Sequence, residues 1–386
     1  MAACGLQSER REDRPIKQER FKKQERETFF GNFIYDRVVP QNHFLRQLDA
    51  VVPWTRFSKA LVRLYLGKAR QGRPPYDPTV LLKMLLVAYL YNLSERQTEQ
   101  VANDTLSIKW FLGLAVDEAA PDHSTLTKFK ARLLERGKLE AVEDLLSQIV
   151  TLAQEQGIRF GSIQVMDSVH TVADVNPEKD KARRDQDPQR PRDADARWGV
   201  KGSRRVRDAQ GNKVKRAEYF LGYKTHCSLN AETGLITSLL VTPGNAPDGH
   251  QLPDLLARDL AQGLPVSILT ADRGYDDGHN HFLLHSKGIR SAIRLNDYRT
   301  HKKDANKEVW LSLKATSEYE RGLQERYKIE RKFGEGKRGH GWGRCRYVGL
   351  VRYGLQAFLT AIVLNLKRIV KLLVGVPFKS AARVAA

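Results

Sequence analysis

Gly161-Ser-Ile-Gln-Val-Met-Asp-Ser-Val-His170 is the stretch on which the reading of the whole chain turns. Ile163 and Val165 alternate with polar neighbours, the period-two pattern of a short strand, and Asp167 falls where that strand is expected to run out. Open α/β sheets keep their ligand sites near the carboxyl ends of their strands, so this aspartate is well placed for chemistry. A second acid, Asp272, closes the apolar run Val266-Ser-Ile-Leu-Thr-Ala271, and a third, Glu330, lies in Arg326-Tyr-Lys-Ile-Glu-Arg-Lys-Phe-Gly-Glu-Gly-Lys337. Three acids on separate elements of a very basic chain suggest a carboxylate metal site that works on a polyanion.

The charge is the first bound on function. Lys and Arg number 65 against 45 Asp and Glu, a formal net charge of +20 that favours nucleic acid or an anionic surface as partner. Cys4, Cys227 and Cys345 are far apart and form no CxxC or Cys/His cluster, which implies neither a disulfide framework nor a zinc site and fits a reduced cytosol. The N-terminus is charged and lacks the apolar core of a signal peptide, so a cytoplasmic location is expected. The most apolar stretches, Val80–Leu93 and Leu355–Val376, are interrupted by Lys83 and by Lys367, Arg368 and Lys371. A membrane span needs about 20 predominantly apolar residues, so both read as buried helices and no membrane partner is expected.

At 386 residues, with domains of roughly 100–200 residues, two or three units are expected. Residues 1–28 read as a charged tail. Residues 29–158 read as a helical domain, with Asp77 capping a helix that has Pro78 at its first position, Ser94 capping a second, and Asp122 or Ser124 capping another that carries Lys128, Lys130 and Arg132. Short helices with basic residues are compatible with a helix-turn-helix-like unit. Residues 139–157 extend this pattern to a C-cap at Gly157. Residues 159–350 carry the acids, and 351–386 hold a C-terminal helix and tail. Between Asn176 and Arg216, 14 Lys/Arg, 7 Asp/Glu and three prolines predict a long charged loop beside the site, either solvated or tracking a phosphate backbone. Strands are expected at Glu218–Leu229, Leu235–Thr242, Ser267–Ala271 and Arg290–Arg294, helices at His250–Leu260, His279–Lys287 and Glu320–Phe333, and a charged connection from Asn296 to Glu308.

Cleaving a phosphodiester requires an activated attacking oxygen and a neutralised leaving oxygen, and two divalent ions about 3.5–4 Å apart do both. Mg²⁺ takes oxygen ligands and keeps waters, so a few converging carboxylates suffice; Mn²⁺ suits the same donors. Asp167 best fits the carboxylate bridging two ions. On a continuous helix Arg326, Glu330 and Lys337 share a face, though Gly334 and Gly336 weaken that helix, since each glycine costs roughly 1 kcal/mol in a helix interior. Arg331 and Lys332 add to the cations placed to meet DNA. Tyr327, Phe333, Trp342 and Tyr347, interleaved with these cations, could stack on bases. Competing acids are Asp174, Asp248, Asp276 and Glu335, with Asp174 the first substitute.

The acids together with Arg326-x3-Glu330-x6-Lys337 resemble the YREK-type signature of DDE transposases from bacterial insertion sequences, the group labelled by insertion sequences four and five. Similarity extends to Gly72-Arg-Pro-Pro-Tyr-Asp77, Ser94-Glu-Arg-Gln97, Trp110-Phe-Leu-Gly-Leu114, Pro121-Asp-His-Ser-Thr125, Gly222-Tyr-Lys-Thr-His226 and Ala271-Asp-Arg-Gly-Tyr275, from about Phe29 to Leu373. The resemblance implies a helical N-terminal domain that binds the element's ends and a ribonuclease-H-like mixed-sheet core with flanking helices. It implies Mg²⁺ held by Asp167, Asp272 and Glu330, with Arg326 and Lys337 on the DNA at the cleavage site. Leu323 stands where the signature has its tyrosine. The expected activity is cutting at the ends of a mobile element and joining the freed 3′ ends to target duplex, by a multimer that handles two ends together. A DNA-binding protein without catalysis, such as a decayed or repurposed transposase, and a stand-alone nuclease are the alternatives.

Overall fold

Capping side chains set the helices of the first third of the chain. The structure, a computed structural model, describes residues 21–22, 29–65, 74–134, 139–187, 191–207, 210–300 and 305–378. It begins with α1 (Phe29–Val38), α2 (Phe44–Val51), α3 (Trp54–Val62), α4 (Pro78–Leu90), α5 (Glu95–Asp104), α6 (Leu106–Leu112), α7 (His123–Leu133) and α8 (Glu140–Glu155). Asp77 accepts the Thr79 N–H, Ser94 and Gln97 form a reciprocal capping box, and Asp122, not Ser124, accepts from Thr125. α4 is buried on every side, which makes it the centre of this helical region. Even Lys83 is enclosed there, its Nζ 2.6 Å from Asp49. Of the expected tail at 1–28, Phe21 packs edge-on against Tyr65 and Lys22 pairs with Glu118; the rest lies outside the described residues.

The second part is a mixed sheet. Its elements are β1 (Ile163–Val172), α9 (Pro177–Gln186), β2 (Arg197–Arg207), β3 (Lys213–Asn230), β4 (Ile236–Pro243), α10 (Leu252–Ala261), β5 (Ile268–Ala271), α11 (Gly278–Ser286) and β6 (Arg290–Ile293). Helices α12 (Lys307–Lys314), α13 (Ser317–Glu325), α14 (Tyr327–Gly339) and α15 (Leu350–Val374) complete the chain. The strand order is β2-β3-β1-β5-β6, with β4 also paired to β3. β1 is antiparallel to β3 and parallel to β5, and β5 is parallel to β6. Three antiparallel strands (β4, β3, β1) running into two parallel ones (β5, β6) form the ribonuclease-H-like arrangement expected.

One face of the sheet packs Met166, Leu269 and Ile293 against Leu252, Leu255 and Leu284 of α10 and α11. On the other, Val165, Val169, Leu229 and Leu239 belong to a hydrophobic cluster that continues without a break through α14 and α15 into α2, α4 and α8. α15 is the hinge pin of this arrangement. Its Asn365 is fully buried and acts as a substitute strand, accepting the Ile236 N–H at 2.8 Å and donating to the Ile236 carbonyl at 2.7 Å.

Four expectations need correction. β1 does not end at Asp167: it continues to Val172, because residues through Val172 keep their antiparallel partners on β3. The stretch 176–216 is not a loop but α9, capped by Asn176, then β2 and the start of β3. Its low apolar content hid strands that have no core to face. The connection 296–308 contains a single 3-10 turn, Asp297–Thr300, and the start of α12, with 301–304 outside the described residues. The helix expected over Glu320–Phe333 is two helices that break at Arg326, α13 packing mainly on β5 and β6 and α14 on β1.

Replacing Asn365 by Leu keeps the apolar volume but orphans the backbone N–H and C=O of Ile236. At about 1–3 kcal/mol per unsatisfied buried group, the Asn365→Leu protein should lose about 2 kcal/mol or more in a denaturant titration. A midpoint within error of the parent's would show that α15 docks on β4 by apolar packing alone.

Candidate functional site

The parallel register of β1 and β5 builds the site. Met166 is opposite Ala271, so Asp167 and Asp272 are the next residues on two adjacent strands and their carboxylates come out side by side. Asp167 is held within β1 by pairing to Cys227 on its other edge. Asp272 leaves the sheet and caps the turn Arg273–Tyr275, accepting the Gly274 N–H at 2.8 Å. An added Cβ on Gly274 would lie 3.0 Å from Asp272 Oδ1 and 3.6 Å from Asp248 Oδ2, so a third carboxylate, Asp248, shares the corner.

Burial and like charge make this corner unfavourable without a counter-ion. Desolvation, then the charge of Asp272, push the Asp167 carboxyl up to about 7, against the Ser168 N–H and the Arg326 guanidinium. Burial also raises Asp272, opposed by the Gly274 N–H and Arg326. One cation is shared between the two: Arg326 Nη2 lies 3.6 Å from Asp167 Oδ2, both side chains about 15% exposed. Lys224 neutralises Asp248 instead, with Nζ 2.8 Å from Oδ1. Two adjoining carboxylates that share one guanidinium are an electrostatic fit for a divalent cation.

α14 brings the remaining expected residues, though not all to one place. It continues unbroken to Gly339, so Lys337 stays helical. Lys337 is half-buried near Lys201, and both lie close enough to His170 to help burial lower that imidazole to about 4. Glu330 sits one helical turn beyond Arg326 with its side chain exposed, and it makes no hydrogen bond or ion pair to Asp167 or Asp272. Among the described residues no three His, Cys, Asp or Glu side chains converge to hold a metal ion. Arg331 and Lys332 turn away from the acids. They line a cavity of about 600 Å³ between α14 and α15 with Lys328, Lys367, Arg368 and Lys371, and Lys332 pairs with Glu335 there.

Other candidates resolve differently. Trp342 is fully buried against Phe333 and Gly336 and cannot stack on a base; of the four aromatics only Tyr327 is exposed. Asp174 pairs loosely with Arg344 at 3.5 Å, and Asp276 is occupied by His281 and Arg299. From the sequence Asp248 is one of several competing acids, and Lys224 is not singled out although it lies in the stretch Gly222-Tyr-Lys-Thr-His226.

Two family models match the chain: one described as Transposase domain (DUF772) over residues 33–132, and one described as Transposase DDE domain over residues 171–366. The second match begins after Asp167, so that residue is placed by the sheet register. A cryo-EM structure of a piggyBac transposase synaptic complex with hairpin DNA aligns with 10% identity, 90% of this chain, 77% of that chain and a TM-score of 0.41. A Mos1 mariner paired-end complex with Mn aligns at 14% identity, 80% of this chain, 92% of that one and a TM-score of 0.20.

The raised carboxyl of Asp167 has a sign in stability. Between its unfolded value, near 4, and about 7 the native state binds more protons than the unfolded chain, so stability falls as pH rises through that window and the loss is complete above it. At about 1.4 kcal/mol per pKa unit the penalty is at most about 4 kcal/mol. Asp167→Asn should therefore melt higher than the parent at pH 8 without metal, and the gap should close near pH 4. Added Mg²⁺ should raise the parent's midpoint and leave the variant's unmoved; equal responses would exclude Asp167 as a ligand.

Proposed function

Since the chain belongs to the transposase DDE domain family, whose members cut and rejoin DNA with divalent metal ions, we propose that Asp167, Asp272 and Glu330 are its metal-holding carboxylates. The carrying observation is the β1/β5 register that sets Asp167 beside Asp272, with α14 leaning on β1 so that Arg326 touches Asp167. Glu330, one turn along that helix, completes the set by swinging its exposed side chain inward. The ions are Mg²⁺, with Mn²⁺ as a substitute, and they number two.

The substrate is duplex DNA at the inverted repeats that end the element. Water attacks phosphorus at the element's 3′ boundary, the 3′ oxygen leaves with a proton, and the freed 3′ hydroxyl then attacks a target phosphodiester, displacing that strand's 3′ oxygen. When bound, the ions activate the attacking oxygen and neutralise the leaving one. The protein's own groups position: Arg326 releases Asp167 and turns to the scissile phosphate, and Lys337 holds the adjoining one. Fixed cations of this kind stabilise developing charge without reorganisation. Lys224 keeps Asp248 neutralised at the edge of the site. The helical region 29–158 binds the ends, Arg331 and Lys332 contact DNA beyond the site, and the working form is a multimer holding two ends.

A supercoiled plasmid carrying the element's ends, incubated with the protein and Mg²⁺, should be nicked and joined. Asp167→Ala, Asp272→Ala and Glu330→Ala should each lose activity by about a thousandfold or more, the several kcal/mol such charge stabilisation supplies. Wild-type rates in all three would refute the assignment. A parent that binds ends but never cuts would point to a DNA-binding protein without catalysis.

A further inference from the structure

We infer that the outer half of the β2–β3 hairpin is a DNA-binding arm that lies in the major groove of duplex DNA next to the acids, a step that rests on the transposase reading above. β3 pairs with β1 and β4 only from Gly222 onward, whereas its pairing with β2 runs on to Lys213. The segments Val200–Arg207 and Lys213–Tyr219 therefore form a two-stranded ribbon outside the sheet. Among the described residues nothing covers it: Val200 is 59% exposed and Tyr219 is 63% exposed. An isolated two-stranded ribbon is marginal in water.

Its side chains make that worse. Arg204 faces Arg216, Arg205 faces Lys215, and Arg207 faces Lys213. Like charges directly opposite each other destabilise a strand pair, and here they stand on three rungs. Alternation puts Arg205, Arg207, Lys213 and Lys215 on one face, with the small side chains of Ser203 and Ala217 between them and the sheet. Among the described residues the ribbon's acid, Glu218, lies on the other face, 3.5 Å from Arg204. A face of four cations, with no acid among the described residues, is unfavourable alone and favourable against phosphates.

Shape and position agree with charge. The major groove, about 12 Å wide, admits a two-stranded ribbon. Seven or eight residues per strand reach roughly 23–26 Å at about 3.3 Å each. The register shift between Val200 and Gly202 falls where the ribbon leaves the sheet, and such bulges bend a strand. Lys201, at the base, lies near Lys337 and His170. Duplex that meets Lys337 thus continues along the cationic face.

The test compares the parent with Arg205→Ala/Arg207→Ala/Lys213→Ala/Lys215→Ala, and with the milder Arg205→Gln/Lys215→Gln, for binding to a duplex oligonucleotide over a salt series. Each phosphate contact contributes about 0.9 to the slope of log affinity against log salt, so the quadruple variant should lose about 3 to 4 in slope and at least about a hundredfold in affinity at low salt, the double variant about half the slope change. Both should melt at or above the parent's temperature, since like-charge pairs are relieved. A parent that binds and cuts DNA, matched by both variants in slope and affinity, overturns the arm and leaves the transposase reading intact. A parent that neither binds nor cuts duplex overturns both. Variants that lose self-association in sedimentation but keep DNA binding would assign the ribbon to a second copy of the chain, and the DNA arm would fall.

Discussion

Two carboxylates held side by side where water is mostly excluded repel each other, and the sheet is what forces Asp167 and Asp272 to stay there. β1 is hydrogen-bonded on both edges, so Asp167 cannot slide, and a register fixed at Met166 and Ala271 leaves Asp272 no other exit. The backbone supplies partial relief through the Ser168 and Gly274 N–H groups at 2.7 and 2.8 Å. Arg326 supplies the rest. None of these equals a divalent cation in charge, so the fold carries a deficit that a bound divalent cation would remove. That deficit is the physical link between the stability of the sheet and its chemistry.

The same constraint explains why the helical region and the sheet share one core. α14 must stay along β1, and the segment following it is tied into the first third of the chain. His340 donates to the Tyr89 carbonyl at the end of α4, Arg346 donates to the Leu93 carbonyl at 2.8 Å, and Tyr347 meets Lys130 and Glu95. Buried Gln356 of α15 holds the intervening turn through the Arg346 N–H and the Arg344 carbonyl. A shift of α4 or α5 would therefore be felt at α14, which carries Lys337 and starts just after Arg326. The contacts of His340, Arg346 and Tyr347 with the first third of the chain join residues more than 200 positions apart.

Much of this was legible from local signals. Caps at Asp77, Ser94 and Asp122 announce their helices because a side-chain acceptor beside a free N–H is a local matter. The acids Asp167 and Asp272 stand out because apolar runs lead into them. What escaped depends on partners far away in sequence. Composition cannot tell a solvated loop from a ribbon that pairs only with itself, so 176–216 read as unstructured. Asp248 and Lys224 are unremarkable until the fold puts them beside Asp272 and Gly274. Glu330 is the opposite case: its spacing from Arg326 is clear in sequence, while its side chain is exposed and not packed against Asp167 or Asp272.

Gly336 shows how local cost and long-range packing trade off. Glycine inside a helix costs roughly 1 kcal/mol, and Gly334 and Gly336 together should have ended α14 before Lys337. Instead a Cβ at Gly336 would lie 2.3 Å from the Trp342 ring, so the glycine is what lets a fully buried indole close over the helix. Burying a large aromatic contributes more than the glycine loses, since such side chains bury 150–250 Å² at about 25 cal/mol per Å². Trp342 in turn brings Gly343 and Cys345 to Val172 at 3.1 and 2.8 Å, on the last residue of β1. α14 is thus fixed to β1 at both ends, by Arg326 on Asp167 and by this bridge at Val172. Glu330 lies on the helix between the two anchors, with its side chain exposed.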